Sequence, residues 1–309
     1  MVVEARLLAA DARGTAPRHG RGALDLAARL PALAVSAREI AAGVMHGVHG
    51  RRRAGAGESF WQFRPFVQGE PAAGIDWRRS ARDDRTYVRE REWEAAQTVM
   101  VWMDRSPSMA FVSTLAATPK LDRALVIGLA AADLLVRGGE RVGMPGLMPP
   151  VARRTVIDRM VEALLHDERR GGGGADLPPA LPLPPRSRAL LIGDWLAPPE
   201  TVDHAIGVLA SQGAAGHLVQ VLDPVEETFP FAGHVEFTDS DGPARLRVGD
   251  AASLRPRYLE RLALHRDALR ASCRARGWTF ALHRTDRPAS EAVLGVAAAF
   301  AGGGFGPAG

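Results

Sequence analysis

From Gln97 onward, short apolar runs alternate with longer stretches in which apolar positions recur every three or four residues. The run at 98–103 ends at Asp104, and behind it Leu121, Leu125, Gly128, Ala132 and Leu135 mark one face of a helix that closes at Gly138-Gly139. Further short runs at 141–147, 189–193 and 217–222 predict strands, and the segments 156–166 and 200–212 predict helices between them. Strands alternating with helices predict an α/β fold, a mainly parallel open sheet with helices on both faces. Past Asp223-Pro224 the alternation at 234–238 and 245–248 around Asp241-Gly242 predicts a hairpin. A helix over 254–276, a strand over 278–283 and a helix over 291–300 complete the pattern.

Upstream the pattern is different. Leu24, Leu26, Leu30, Leu33 and Ile40 have helical spacing but are interrupted by Pro31, which predicts short helices behind a loose tail. Between 51 and 94 glycine, aromatic residues and arginine replace the regular period, predicting an N-terminal β-rich accessory region of irregular strands and turns. The expected organisation is therefore a tail with short helices over 1–50, the accessory region over 51–94, an α/β core with a C-terminal extension over 95–301, and a frayed glycine-rich tail over 302–309. A chain of 309 residues with 46% hydrophobic content can bury a core of this size.

Charge alters the picture less than the basic isoelectric point suggests. Formal net charge is only +4, and the excess falls in residues 1–100, where 16 Arg face 12 Asp plus Glu. Nucleic-acid binding through Arg51–Arg53 and the arginines of 78–91, with Trp77 or Tyr87 stacking on bases, is the alternative reading. Against it, Asp83, Asp84, Glu90, Glu92 and Glu94 are interleaved among those arginines, as on a solvated, paired face. One cysteine, Cys273, excludes an intramolecular disulfide and fits a reducing compartment. No secretory signal opens the chain, and the most apolar stretch, 124–136, is shorter than the roughly 20 residues a bilayer requires. A cytoplasmic protein without a membrane span is expected.

Chemistry concentrates at two predicted strand ends. Asp104-Arg105-Ser106-Pro107-Ser108-Met109 follows the first strand of the α/β region, in the position where open sheets place ligand loops. One carboxylate and two hydroxyls are hard oxygen donors suited to Mg²⁺ or Mn²⁺, although the same side chains could instead cap the next helix. Asp194 ends a second parallel strand and should face Asp104. Two carboxylates brought together repel unless a cation lies between them or one keeps its proton.

Asp104, Ser106, Ser108 and Asp194 together resemble the metal-ion-dependent adhesion site of von Willebrand factor A-like domains. The resemblance implies that the serines touch an ion directly and the aspartates act mostly through water. It also implies a threonine from another loop, where this chain has Gly174 or Ala175 with Asp176 beside them, so binding of Mg²⁺ or Mn²⁺ is expected to be weak. A second resemblance lies in Gly55, Gly57-Glu58-Ser59-Phe60, Arg64-Pro65-Phe66, Gly69-Glu70, Ile75-Asp76-Trp77 and Ser80-Ala81-Arg82. These motifs are similar to those of domain-of-unknown-function family 58, with Glu70 and Ala73 where the family more often has Asp and Arg. This resemblance implies work beside a MoxR-type AAA+ ATPase in the assembly or activation of another complex. The resemblance thus implies a non-enzymatic protein-interaction module; the position of the two loops at strand ends separately marks Pro107, Met109, Trp195 and Leu196 as apolar partner-binding residues around the polar centre.

Other chemistries lack their motifs. The glycines at 171–174 have no following Gly-Lys-Ser/Thr, Lys120 is the chain's sole lysine, and Gly-x-Ser-x-Gly is missing. The nine histidines show no zinc-site spacing, and no nucleophile–base pair is legible.

Overall fold

The computed structural model describes residues 3–7, 22–49, 60–68, 75–82, 85–91, 96–239 and 244–301. The sequence motifs at 51–59 and 69–74, the acidic pairs at Asp83-Asp84 and at Glu92 and Glu94, the Asp241-Gly242 turn and the 302–309 tail lie outside the described residues. The chain divides into two compact units, one formed by 1–47 with 97–309, the other by 48–96.

In the larger unit the elements are strand β1 (Val3–Leu7) and helix α1 (Gly22–His49), then, after the smaller unit, β4 (Thr98–Met103), α3 (Lys120–Arg137), β5 (Arg141–Met144), β6 (Met148–Val151) and α4 (Val156–Arg169). They continue with β7 (Arg188–Gly193), α5 (Pro199–Ser211), β8 (Ala215–Leu222), α6 (Pro224–Thr228), β9 (Val235–Asp239), β10 (Arg245–Val248), α7 (Arg255–Ala275), β11 (Thr279–Arg284) and α8 (Ala289–Ala301). The smaller unit holds β2 (Phe60–Pro65), α2 (Trp77–Ser80) and β3 (Tyr87–Arg91).

Six strands form the main sheet in the order β11-β8-β7-β4-β5-β6; all neighbours are parallel except β5 and β6. The two-residue period of a strand sends Val99, Val101 and Met103 to one face and Met100 and Trp102 to the other. The first face packs against α3, α4, α8 and α1, the second against α5 and α7. The expected α/β architecture, with helices on both faces of a mostly parallel sheet, is therefore present. Helix α3 is buried along most of its length, including Asp133, which pairs with Arg137 at 2.7 Å.

Three expectations are corrected. Residues 141–147 are not one strand: β5 turns at Gly146 (φ 70°) into antiparallel β6, whose Pro149 and Pro150 are tolerated because β6 is the edge of the sheet. The first 50 residues do not form separate short helices, since α1 runs through the exposed Pro31. Leu26, Leu30, Ala34, Ala37, Ala41 and Val44 form a buried stripe at spacings of three and four that joins the main core, enough apolar burial to hold the helix together across the missing proline donor. Lastly, the start of the chain is not only a tail: β1 adds to the expected β9–β10 hairpin as a third antiparallel strand.

In the smaller unit β2 and β3 pair antiparallel. Asp76 caps α2 by accepting from the Arg79 amide at 2.9 Å, and the Arg79 guanidinium lies 5.1 Å from the Tyr87 ring centre. This part of the accessory region is β-rich, as its aromatic and glycine content predicts.

Candidate functional site

After β4 the chain moves to β5 on one side, and after β7 it moves to β8 on the other. Helix α3 covers one face of the sheet and α5 the opposite face, so the loops leaving β4 and β7 diverge at their carboxyl ends. This reversal of strand order is where open α/β sheets form a crevice. Asp104, Asp194 and Asp223 are the residues immediately after β4, β7 and β8.

The predicted metal-site residues do come together. The Asp104 amide donates to Ile192 O at 2.8 Å, fixing the end of β4 beside β7, and Asp104 Oδ1 accepts from the Ser106 amide at 2.8 Å. The Ser106 and Ser108 hydroxyls lie 3.1 Å apart, and Ser108 Oγ donates to Asp194 Oδ2 at 2.8 Å. Pro107 starts a tight 3-10 turn, Pro107–Ala110, that aims Ser108 inward. Gly193 before Asp194 leaves room for the Asp104 side chain, since a Cβ there would stand 3.0 Å from Asp104 Cβ.

Two residues outside the expected set complete the cluster. Lys120, the first residue of α3, donates from Nζ to Asp194 Oδ2 at 3.0 Å and to Glu226 Oε1 at 2.6 Å. Glu226 Oε2 accepts from the Asp223 amide at 2.8 Å while Asp223 Oδ1 accepts from the Val225 amide at 2.9 Å, a capping box that opens α6. Asp223 Oδ2 also accepts from the Ser113 amide at 2.9 Å, tying the β4–α3 loop to the end of β8. Sequence reading missed both residues. The available signals were a solitary lysine at the start of an apolar helix and a glutamate three residues after the Asp of an Asp-Pro cap.

Burial sets the electrostatics. Asp104 is fully buried, and burial followed by the charge of Asp194 pushes its carboxyl up to about 7. Burial also pushes Asp194 up, but the Lys120 ammonium and the Ser108 hydroxyl outweigh it and hold Asp194 below the usual carboxylate range. For Lys120, burial favours the neutral amine, yet Asp194 and Glu226 together hold the ammonium well above the ordinary lysine value. Glu226 is raised by burial against the pull of Lys120. The repulsion expected between Asp104 and Asp194 is thus relieved in two ways: a lysine cation sits on one carboxylate and the other tends to keep its proton.

This donor set does not fit a divalent ion. The Asp194 oxygen that accepts from Ser108 already carries the ammonium, and Asp176 is exposed instead of taking the place of the missing threonine. Asp104 Oδ2 is buried without a hydrogen-bond partner.

Of the residues expected to meet a partner, Pro107 is exposed and Leu196 half-buried, whereas Met109 and Trp195 belong to the core at 0% and 1% exposure. Their apolar side chains pack inward because the turn and the strand end that carry them are short and fold back onto the sheet. Arg105, beside Asp104, pairs with Asp167 and with Glu168 near the end of α4. A Cβ at Gly173 would approach the Arg105 guanidinium to 3.1 Å, and one at Gly172 would collide with the Asp167 carboxyl. Part of the glycine run is therefore packing space for this ion pair, and it brings the 171–176 loop next to the Asp104 loop.

Among the described residues no helix is long and apolar enough to cross a membrane. The chain is 26% identical over 283 residues, 86% of its length and 88% of theirs, to the uncharacterized proteins Mb1516 of Mycobacterium bovis and Rv1480 of Mycobacterium tuberculosis. The model of the family described as "Protein of unknown function DUF58" matches residues 62–268, which is two thirds of the chain, and the protein belongs to that family.

Proposed function

We propose that this chain is a non-enzymatic protein-interaction module that docks its partner on the loops at the carboxyl ends of β4 and β7. The observation that carries this reading is the reversal of strand order at that pair, with the polar cluster holding three strand ends in register beneath an exposed loop. Pro107 and Ala110 are exposed on that loop, and Leu115 is 52% exposed farther along it, so the surface presents apolar groups over a polar floor. Leu115 and Pro107 take the anchoring role that sequence reasoning assigned to Met109 and Trp195. Hydrolytic chemistry finds little support here: Ser108 donates to Asp194, Ser106 lies against Ser108, and among the described residues no histidine joins them as a base.

Resemblance of the Asp104, Ser106, Ser108 and Asp194 set to a von Willebrand factor A-like adhesion site supports protein recognition as the task. Family likeness supports a MoxR-type AAA+ ATPase, or the complex it acts on, as the partner. Hydrogen–deuterium exchange of the chain with and without the MoxR-type ATPase from the same organism tests the proposal. Protection confined to residues 105–118 and 195–199 is expected; protection elsewhere, with these segments unchanged, would overturn it.

A further inference from the structure

We infer that Lys120 supplies, from within the chain, the positive charge that a divalent ion would bring to this crevice, so that the site takes its shape without a metal. The Lys120 ammonium is fully buried and bridges Asp194 Oδ2 at 3.0 Å and Glu226 Oε1 at 2.6 Å, with the Phe111 ring centre 5.9 Å from Nζ. An ammonium has three donors and no acceptor, and here two of them are spent on carboxylates from two different elements, Asp194 at the end of β7 and Glu226 in α6. The same Asp194 oxygen accepts the Ser108 hydroxyl, and the other oxygen accepts the Leu196 amide at 3.3 Å. Asp194 is fully engaged.

A second cation placed among these oxygens would stand close to the ammonium in a buried, weakly screened setting, where like charges repel strongly. Lysine and ion therefore exclude one another at Asp194. Residue choice agrees: apart from the histidines every other basic side chain in this sequence is arginine, and the one lysine stands where a compact point charge must bridge two acids. A planar guanidinium, with its donors spread in a fork, suits that position less well. An ion in such a crevice would leave a coordination position for an acidic side chain of the partner; the third N–H of a fully buried ammonium held by two carboxylates is out of a partner's reach. Recognition then falls to the loop surface around Pro107 and Leu115, with the cluster below acting as a fixed support.

This inference does not need the docking reading, since the partner could bind elsewhere while Lys120 still serves as the cation. The sole lysine makes the test direct, because protein grown with ¹⁵N-labelled lysine has a single side-chain ammonium to observe by NMR. The expected result is a signal visible at neutral pH, protected from exchange with water, with position and linewidth unchanged by millimolar Mg²⁺ or sub-millimolar Mn²⁺. Loss of the signal on adding Mn²⁺, with recovery on chelation, would place an ion beside Lys120 and overturn the inference. So would an ammonium that exchanges freely with water.

Discussion

The indoles of Trp102 and Trp195 lie against each other, with ring centres 5.4 Å apart and planes tilted by 48°. Trp195 adopts a left-handed backbone conformation (φ 54°), unusual for a bulky residue, and is held there on three sides. Its indole N–H donates to Val219 O at 2.9 Å, its carbonyl lies 2.6 Å from His265 Nε2, and Trp102 backs its ring. This turn is what points Asp194 at Ser108 and Lys120. Trp195→Ala should therefore cost about 3–5 kcal/mol, the range for emptying a buried aromatic site. Urea unfolding will measure it, and partner binding by this variant has to be read against its stability.

Replacing Lys120 by methionine keeps much of the volume and removes the charge. It leaves Asp194 and Glu226 buried without their cation, and losing one partner of a buried ion pair costs about 3–5 kcal/mol. Adding Glu226→Gln should return part of that loss, so the double variant should be more stable than the sum of the single effects by about 0.5–3 kcal/mol. Strict additivity in denaturant titrations would mean that Lys120 and Glu226 are not coupled.

Two buried histidines should weaken the fold in mild acid, against Asp104, whose raised carboxyl gains stability over the same pH range. Burial pushes His217 and His283 down to about 4 from an ordinary value of 6.5. Below 6.5 the unfolded chain takes up protons that these histidines refuse while folded. Their contribution is thus fully present above 6.5 and is lost as the pH falls toward 4, by as much as about 3 kcal/mol for each. His217→Gln should flatten the decline between pH 7 and 5 in unfolding measurements; an unchanged slope would show that His217 titrates normally.

Two glycines should respond oppositely to alanine. A Cβ at Gly216 would stand 2.4 Å from the Trp278 ring, which is pinned by its indole donating to Ala214 O at 2.8 Å. Gly216→Ala should cost about 1–3 kcal/mol through overpacking. Gly295 in α8 has nothing within 4 Å of a Cβ, and Gly295→Ala should gain about 0.5–1 kcal/mol from helix propensity alone. Thermal melts of the two variants should move in opposite directions.

What could be read in the sequence was what depends on local periodicity. The β4 to β8 alternation, the β9–β10 hairpin and the meeting of Asp104 with Asp194 follow from runs and strand ends. Edge strand β6 escaped because Pro149 and Pro150 erase a strand signal, and only its place at the sheet edge makes them acceptable. Helix α1 was cut at Pro31 because the burial that carries the helix through it comes from distant elements. Lys120 was legible only as the chain's sole lysine, since its partners lie 74 and 106 residues away in the chain. Met109 and Trp195 looked like surface anchors because composition reveals that a residue is apolar but not which way a short turn directs it.

Binding affinity for the MoxR-type ATPase, compared between the wild type and loop variants that leave the core intact, tests the docking face most directly. Pro107→Arg and Leu115→Asp alter exposed side chains over the cluster, and Leu264→Asp alters a residue 64% exposed on α7 as a control. The account predicts that each loop variant binds at least about tenfold more weakly, a loss of about 1.4 kcal/mol, while Leu264→Asp binds like the wild type. Equal affinity for all four proteins would contradict it.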